Sequence, residues 1–284
     1  MSEFIKNVSD TSFWVAHYRA LESQRPDALF DDPFAQILVG DSAAKIEKLN
    51  SEAIKWTQWT VVMRTVIIDQ MIADLSARGV TTFLNIGAGL DSRPYRMNLN
   101  SEINWIELDF PEVIEHKTKH LQGFNPKCKL ERIGIDLSNR DLRLAQFNEL
   151  SAKHSKIVVL TEGVLPYLTQ EQVSELSEDL ARHPNFKYWI CEYISPKAYR
   201  HLQNPKRMKD LKNAPFQFYP EDWLGFFEQR GWNLVESKFY TEISEKVGRA
   251  TPIPKFFKVL EFILGKKWAQ PFKRMSGYLL WERN

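Results

Sequence analysis

TTFLNIGAGLDSRPYRM, residues 81–97, is the stretch from which the rest of the chain can be read. β-Branched and apolar residues run straight into Gly87 and Gly89, with one residue between them, and then into Asp91, Arg93 and Arg96. A strand that ends in Gly-x-Gly ends where something must approach the backbone, because glycine admits positive φ and carries no Cβ. A dinucleotide fingerprint would put a third glycine at position 92, which is Ser92, with Pro94 two residues later. A pyrophosphate needs bare amides at a helix N-terminus, and LDSRPYR is a bulky substitute.

Outward from this turn the pattern is regular. VTTFLNIG, INWIELD, LERIGID, KIVVLTE and FKYWICEY are short β-like runs, separated by polar helical patterns at 111–122, 141–153 and 169–182. Strands alternating with single helices predict right-handed βαβ units and a mostly parallel, doubly wound sheet. PEDWLGFFEQRG reads as a helix with Pro220 at its start. Two further strands, GWNLVESKFY and SGYLLWERN, flank a basic and apolar stretch at 241–274, and they suggest an antiparallel edge. Residues 1–78 read as helical, with one long helix from Ser51 to Arg78 carrying Trp59, Met63, Val66, Ile67, Met71 and Leu75 at helical spacing. The expected division is therefore a helical lid or cap at 1–78 and an α/β domain at 79–284, with insertions at about 195–219 and 241–274.

Bulk properties exclude several classes. A chain of 284 residues needs no disulfide or metal to build a core. Cys128 and Cys191 are the only cysteines, which points to a reducing cytoplasm. MSEFIKNVSD lacks the regions of a signal peptide, and no apolar run approaches the ~20 residues of a membrane span. With 38 basic and 36 acidic residues, the net charge of +2 makes no electrostatic case for nucleic acid. His116 and His120 read as a solvated helix face, and no metal site is expected.

In an open parallel sheet, ligands bind at the carboxyl ends of the strands. Gly87 and Gly89 close the first such strand, and Asp109 closes the second, about 20 residues after the glycines, where a carboxylate can accept from ribose hydroxyls. Glu107, on the same strand face, competes for that task. The third strand closes on Asp136 and Leu137 and the fourth on Glu162, beside Gly163. Acids at strand ends also cap helices, so each alone decides little. Together, with no third glycine, they favour an adenosine without phosphates, and S-adenosyl-L-methionine is the common cofactor of that kind.

FWVAHYRALESQRPDALFDDPFAQIL, MRTVIIDQMI, FLNIGAGLDSRPYRM, WIELDFPEVIEHK, GIDL and TEGVLPYL follow one another over residues 13–168. In that order they resemble the leucine carboxyl methyltransferase family, most closely its bacterial branch with polyketide O-methyltransferases. The resemblance implies a class I methyltransferase (Rossmann-like) fold, seven strands with the final one antiparallel. It also implies cofactor contacts: Gly87 and Gly89 at the amino acid part, Asp109 at the ribose, Asp136 and Leu137 at the adenine, Glu162 at the methionyl amino group. Arg64, and less directly Arg19, would pair with the cofactor carboxylate.

The resulting expectation is O-methylation of a carboxylate or hydroxyl on a small, partly apolar molecule, with no nucleic acid or membrane partner. The alternatives are a protein C-terminal carboxyl methyltransferase, an NAD-dependent oxidoreductase, and a catalytically inactive cofactor-binding protein. Tyr167, Glu192 and Tyr193 lie near strand ends and could reach an acceptor, but none is named as a base. The 241–274 stretch reads as a lid, a surface-seeking amphipathic helix, or a helix packed on the sheet edge.

Overall fold

Strands β1 (Thr82–Ile86), β2 (Asn104–Asp109), β3 (Lys129–Gly134), β4 (Ile157–Thr161) and β5 (Phe186–Ile194) pair in parallel, as the alternating pattern predicts. The computed structural model describes residues 11–47, 52–202, 215–253 and 261–284. Preceding the sheet are α1 (Thr11–Ser23), α2 (Pro33–Val39), α3 (Ala43–Glu47) and α4 (Glu52–Ala77). Within it come α5 (Arg93–Arg96), α6 (Pro111–His120), α7 (Arg140–Lys153), α8 (Gln170–Ala181), α9 (Pro196–Leu202) and α10 (Trp223–Glu228). β6 (Trp232–Phe239), α11 (Tyr240–Lys246), α12 (Lys266–Lys273) and β7 (Ser276–Arg283) complete the fold. Among the described residues, no helix is long and apolar enough to cross a membrane.

The strand order is β3-β2-β1-β4-β5-β7-β6, and only β7 runs antiparallel to its neighbours. The last two strands form the expected antiparallel edge: β7 slots between β5 and β6, and β6 is the outermost strand. The burial of the two strands explains this. β7 is buried along its middle, from Gly277 to Trp281, whereas β6 exposes Asn233, Leu234 and Val235 and suits an edge.

Strands covered on both faces read as continuous apolar runs. On one face, Trp59, Met63, Ile67, Met71 and Leu75 of α4 pack against Phe83, Trp105, Val158, Leu160 and Ile190. Burying such a side chain is worth about 1.5–3 kcal/mol. On the other face, Phe147, Leu150, Leu176 and Leu180 from α7 and α8 meet Ile106, Val159, Trp189 and Trp281. α4 thus packs as a layer on this face of the sheet, while α1 reaches the turn after β1 through Arg19 at the Leu90 carbonyl. The helix expected from Pro220 begins at Trp223, where Asp222 caps it through the Gly225 amide at 2.9 Å.

Parts of both expected insertions, 203–214 and 254–260, lie outside the described residues, including Lys255, Phe256, Phe257, Lys258 and Leu260. Of the named residues that are described, Ile263 and Leu264 are exposed.

Candidate functional site

The glycine turn is held from two sides. Gly87 sits at φ 67° and Gly89 at φ 47°, both in the region that favours glycine. The Gly87 amide donates to the Leu108 carbonyl at 2.8 Å, and the Gly89 amide donates to Asp109 Oδ2 at 2.6 Å. Asp109 Oδ1 accepts from the Phe110 amide at 2.7 Å. Burial raises the Asp109 carboxyl above the ordinary range, with these two amides opposing the shift. A Cβ on Gly87 would lie 2.6 Å from Val164 Cγ2, so the turns after β1 and β4 touch.

Glu107 is held by two cations. It is fully buried, with Lys117 Nζ at 2.8 Å and Arg132 Nε at 3.0 Å. Two residues nearer the carboxyl end, Asp109 has no ion pair among the described residues and is held by the Gly89 and Phe110 amides. At the next strand tip, Ile135 N donates to the Asp109 carbonyl at 2.8 Å. Asp136 is exposed there and accepts from the Ser138 amide and hydroxyl, and these bonds lower its pKa. The Leu137 carbonyl accepts from Arg143 at 2.7 Å, which fixes the half-buried leucine beside it.

A position-by-position reading of the sequence missed the charge lattice beneath the turn. Arg93 is buried and reaches Asp69 at 2.7 Å, Asp91 at 3.0 Å and Glu162 at 2.6 Å. Arg96 grips Asp69 through two nitrogens at 2.7 and 2.8 Å. Arg19 pairs with Asp32 at 2.8 Å and also donates to the Leu90 carbonyl. Arg64 meets Glu162 at 2.9 Å. Four guanidiniums, Arg19, Arg64, Arg93 and Arg96, thus face four carboxylates, Asp32, Asp69, Asp91 and Glu162. Burial, the largest single effect, raises Asp91 and Glu162, but the surrounding cations together outweigh it, Arg93 with Lys117, Arg19 and Arg96 at Asp91 and Arg93 with Arg64 and Arg19 at Glu162, and hold both below the usual carboxylate range.

The lattice also answers why no third glycine is needed. Ser92 Oγ donates to the buried Asp32 carboxylate at 2.7 Å, and the Arg93 amide, first of the short α5, donates to Asp91 Oδ1 at 2.9 Å. The amides a phosphate would want are already spent on a carboxylate, so the dinucleotide alternative has no anion site here.

The arrangement fits the amino acid end of S-adenosylmethionine. Arg64 Nε and Glu162 Oε1 are buried, and neither has a well-formed hydrogen bond despite their approach. An ammonium and a carboxylate brought by a ligand would satisfy both. Arg64 also overhangs Gly163, where a Cβ would lie 3.4 Å from Nη1. Arg19, by contrast, is committed to Asp32 and to the backbone of the turn. These contacts tie α1 to the loop after β1.

Toward the β5 end lies a ring of phenols. Tyr167 packs on Phe216 at 5.2 Å and Tyr199 packs on Tyr219 at 5.1 Å, while Tyr193 is wedged between Trp223 and Phe239 and serves packing. His116 is half-buried, correcting the expected solvated face: its Nε2 lies 2.9 Å from the Leu38 carbonyl, and its ring meets Phe13. Burial lowers its pKa.

Such a sheet, with a glycine turn and acids at its strand tips, defines a class I methyltransferase fold. The sequence model of leucine carboxyl methyltransferase matches residues 12–181, and the chain belongs to that family. A Mycolicibacterium paratuberculosis protein named "Putative S-adenosyl-L-methionine-dependent methyltransferase" is 34% identical over 282 residues, 87% of this chain and 90% of its own. A Frankia alni protein of the same description is 26% identical over 260 residues, covering 86% and 90%. Among solved structures, a "putative methyltransferase" of Thermobifida fusca superposes with a TM-score of 0.58 at 14% identity, covering 95% of this chain and 94% of that one.

Proposed function

We propose that this protein is an O-methyltransferase acting on a carboxylate or hydroxyl of a small, partly apolar molecule in the cytoplasm. S-adenosyl-L-methionine is the methyl donor. Bound, it supplies a methyl group already activated by its sulfonium. The chain's own work is to align the acceptor with that methyl and exclude water, and positioning of this kind is worth about 7–11 kcal/mol in favourable cases. Asp109 accepts from the ribose, Asp136 and Leu137 frame the adenine, and Arg64 and Glu162 part to take the amino acid end. The turn at Gly87 lets the backbone close on the donor.

The observation that carries this reading is the Arg64–Glu162 pair, buried and short of hydrogen bonds, beside a glycine turn tied to Asp109. A small acceptor is favoured by the aromatic ring of Tyr167, Phe216, Tyr199 and Tyr219 beside the strand tips. The test is incubation with tritiated S-adenosylmethionine and a small-molecule extract of the source organism. Label should enter a low-mass product, while label only in protein, or none, would sink this reading.

A further inference from the structure

Glu192 lies near the end of β5, directly across the strand pair from Tyr278 of β7. Its carboxyl is used on one side only. Oε1 accepts from the amides of Gly163 and Val164, the latter at 2.9 Å. Oε2 is buried with no hydrogen-bond partner, and the residue as a whole is 5% exposed. A buried carboxylate oxygen left unmatched costs free energy, so such an atom calls for a donor from outside the chain.

Its location says which donor. Val164, held by Glu192, is the residue that abuts Gly87, so the carboxyl stands one layer from both turns that flank the donor site. Arg64 from α4, Tyr240 from α11, Tyr278 from β7, Tyr199 from α9 and Tyr167 from the turn after β4 all interact electrostatically with it. So does its neighbour Cys191, and Glu162 enters as the partner of Arg64. The Tyr199 and Tyr278 hydroxyls are buried and unpartnered as well. Arg64, the one cation in this group, is balanced by Glu162. Among the described residues, no cation other than Arg64 enters this group, so a carboxylate acceptor would meet a like charge at the ionised Glu192, whereas an O–H group would meet the acceptor atom it needs.

We propose that Glu192 Oε2 takes the proton of a neutral hydroxyl acceptor, so that the substrate class is an alcohol or phenol and not a carboxylate. The inference rests on the O-methyltransferase reading above. In the step, the acceptor oxygen forms the new C–O bond as the sulfonium S–CH3 bond breaks. The S–C electron pair leaves with sulfur, and the hydroxyl proton passes to Glu192, so charge and atoms balance. Burial pushes the Glu192 carboxyl up to about 7, against the two amides and Arg64. A base titrating near the working pH transfers protons most effectively.

Two measurements test this. First, the labelled product is treated with alkali: a methyl ether keeps its label, and a methyl ester releases volatile methanol. Retention, with the methyl located on oxygen, is expected; release, or a methyl on nitrogen or carbon, overturns the proposal. Second, Glu192→Gln keeps the Oε1 acceptor for the two amides and removes the base. Its affinity for S-adenosylhomocysteine by calorimetry should stay within about twofold, while kcat falls about 10²–10⁴-fold. The rise of kcat through about pH 7 seen in the wild type should vanish. Wild-type turnover in the variant, or cofactor affinity lost with it, overturns the role. If the wild type labels nothing in the extract, the reading of the previous subsection falls and takes this one with it, a result separable from the others.

Discussion

Arg64 on α4 and Glu162 on the turn after β4 stand 2.9 Å apart, buried, with Nε and Oε1 both outside any well-formed hydrogen bond. In the proposed reading this pair is a slot for a zwitterion: a ligand ammonium would replace the guanidinium at Glu162, and a ligand carboxylate would replace Glu162 at Arg64. Because Arg93 also holds Glu162, the acid is never stranded.

Removing the cation should affect only ligands that carry the amino acid end. We expect Arg64→Met to weaken S-adenosylhomocysteine binding by roughly 10–100-fold, the worth of one hydrogen bond to a charged group. Binding of 5′-methylthioadenosine, which lacks that end, should not change. Calorimetry with both ligands decides it, and an equal loss for the two would refute the slot.

In the proposed reading Asp109 would couple the turn to the ribose. Asp109→Ala should raise the dissociation constant for S-adenosylhomocysteine at least tenfold, because it frees the Gly89 amide as well as removing an acceptor. The pH dependence follows from the raised pKa. A ribose hydroxyl donates to the ionised carboxylate, so affinity falls on acidification and begins to fall at a higher pH than an ordinary aspartate would cause. Titrations of affinity against pH, wild type beside Asp109→Asn, should show that limb only in the wild type.

Gly87→Ala combines a backbone penalty with a collision. Positive φ costs a non-glycine residue about 1–2 kcal/mol, and the new methyl would lie 2.6 Å from Val164 Cγ2. A melting temperature lower by several degrees is expected. Adding Val164→Ala should recover the steric part and leave the backbone part, and thermal melts of the single and double variants separate the two.

Arg93→Met leaves Asp69, Asp91 and Glu162 short of a buried partner, and breaking such a pair typically costs about 3–5 kcal/mol. Asp91 and Glu162 have lowered pKa values in the folded state, so their stabilisation is complete above the unfolded carboxylate range and is lost as pH falls through the folded values. Denaturant midpoints should therefore drop steeply for the wild type below about pH 4, and less steeply for the variant.

The parallel strands and the cofactor turn were legible because each is a local signal: an apolar run, a glycine pair, an acid at a strand tip. The place of β7 was not, since a period-two pattern specifies a strand but not its neighbours. Glu107 and Asp109 looked equivalent by alternation, and only Lys117 and Arg132, brought in by other elements, separated them. The charge lattice draws on residues from 19 to 162. Its few signs in the chain are Asp69 set among Ile67, Ile68 and Met71, and the crowding of Asp91, Arg93 and Arg96. Arg19 was noticed as a cation, but its commitment to Asp32 required the fold.

The insertion of β7 between β5 and β6 has a consequence for how a ribosome delivers this protein. β1 to β4, whose tips carry the glycine turn and the acids, emerge in sequence and can pair as they appear. β6 emerges with no mate, because the strand that must lie beside it is made some forty residues later. The β5–β7–β6 end of the sheet therefore cannot assemble until residues 276–283 leave the exit tunnel and thread between two waiting strands.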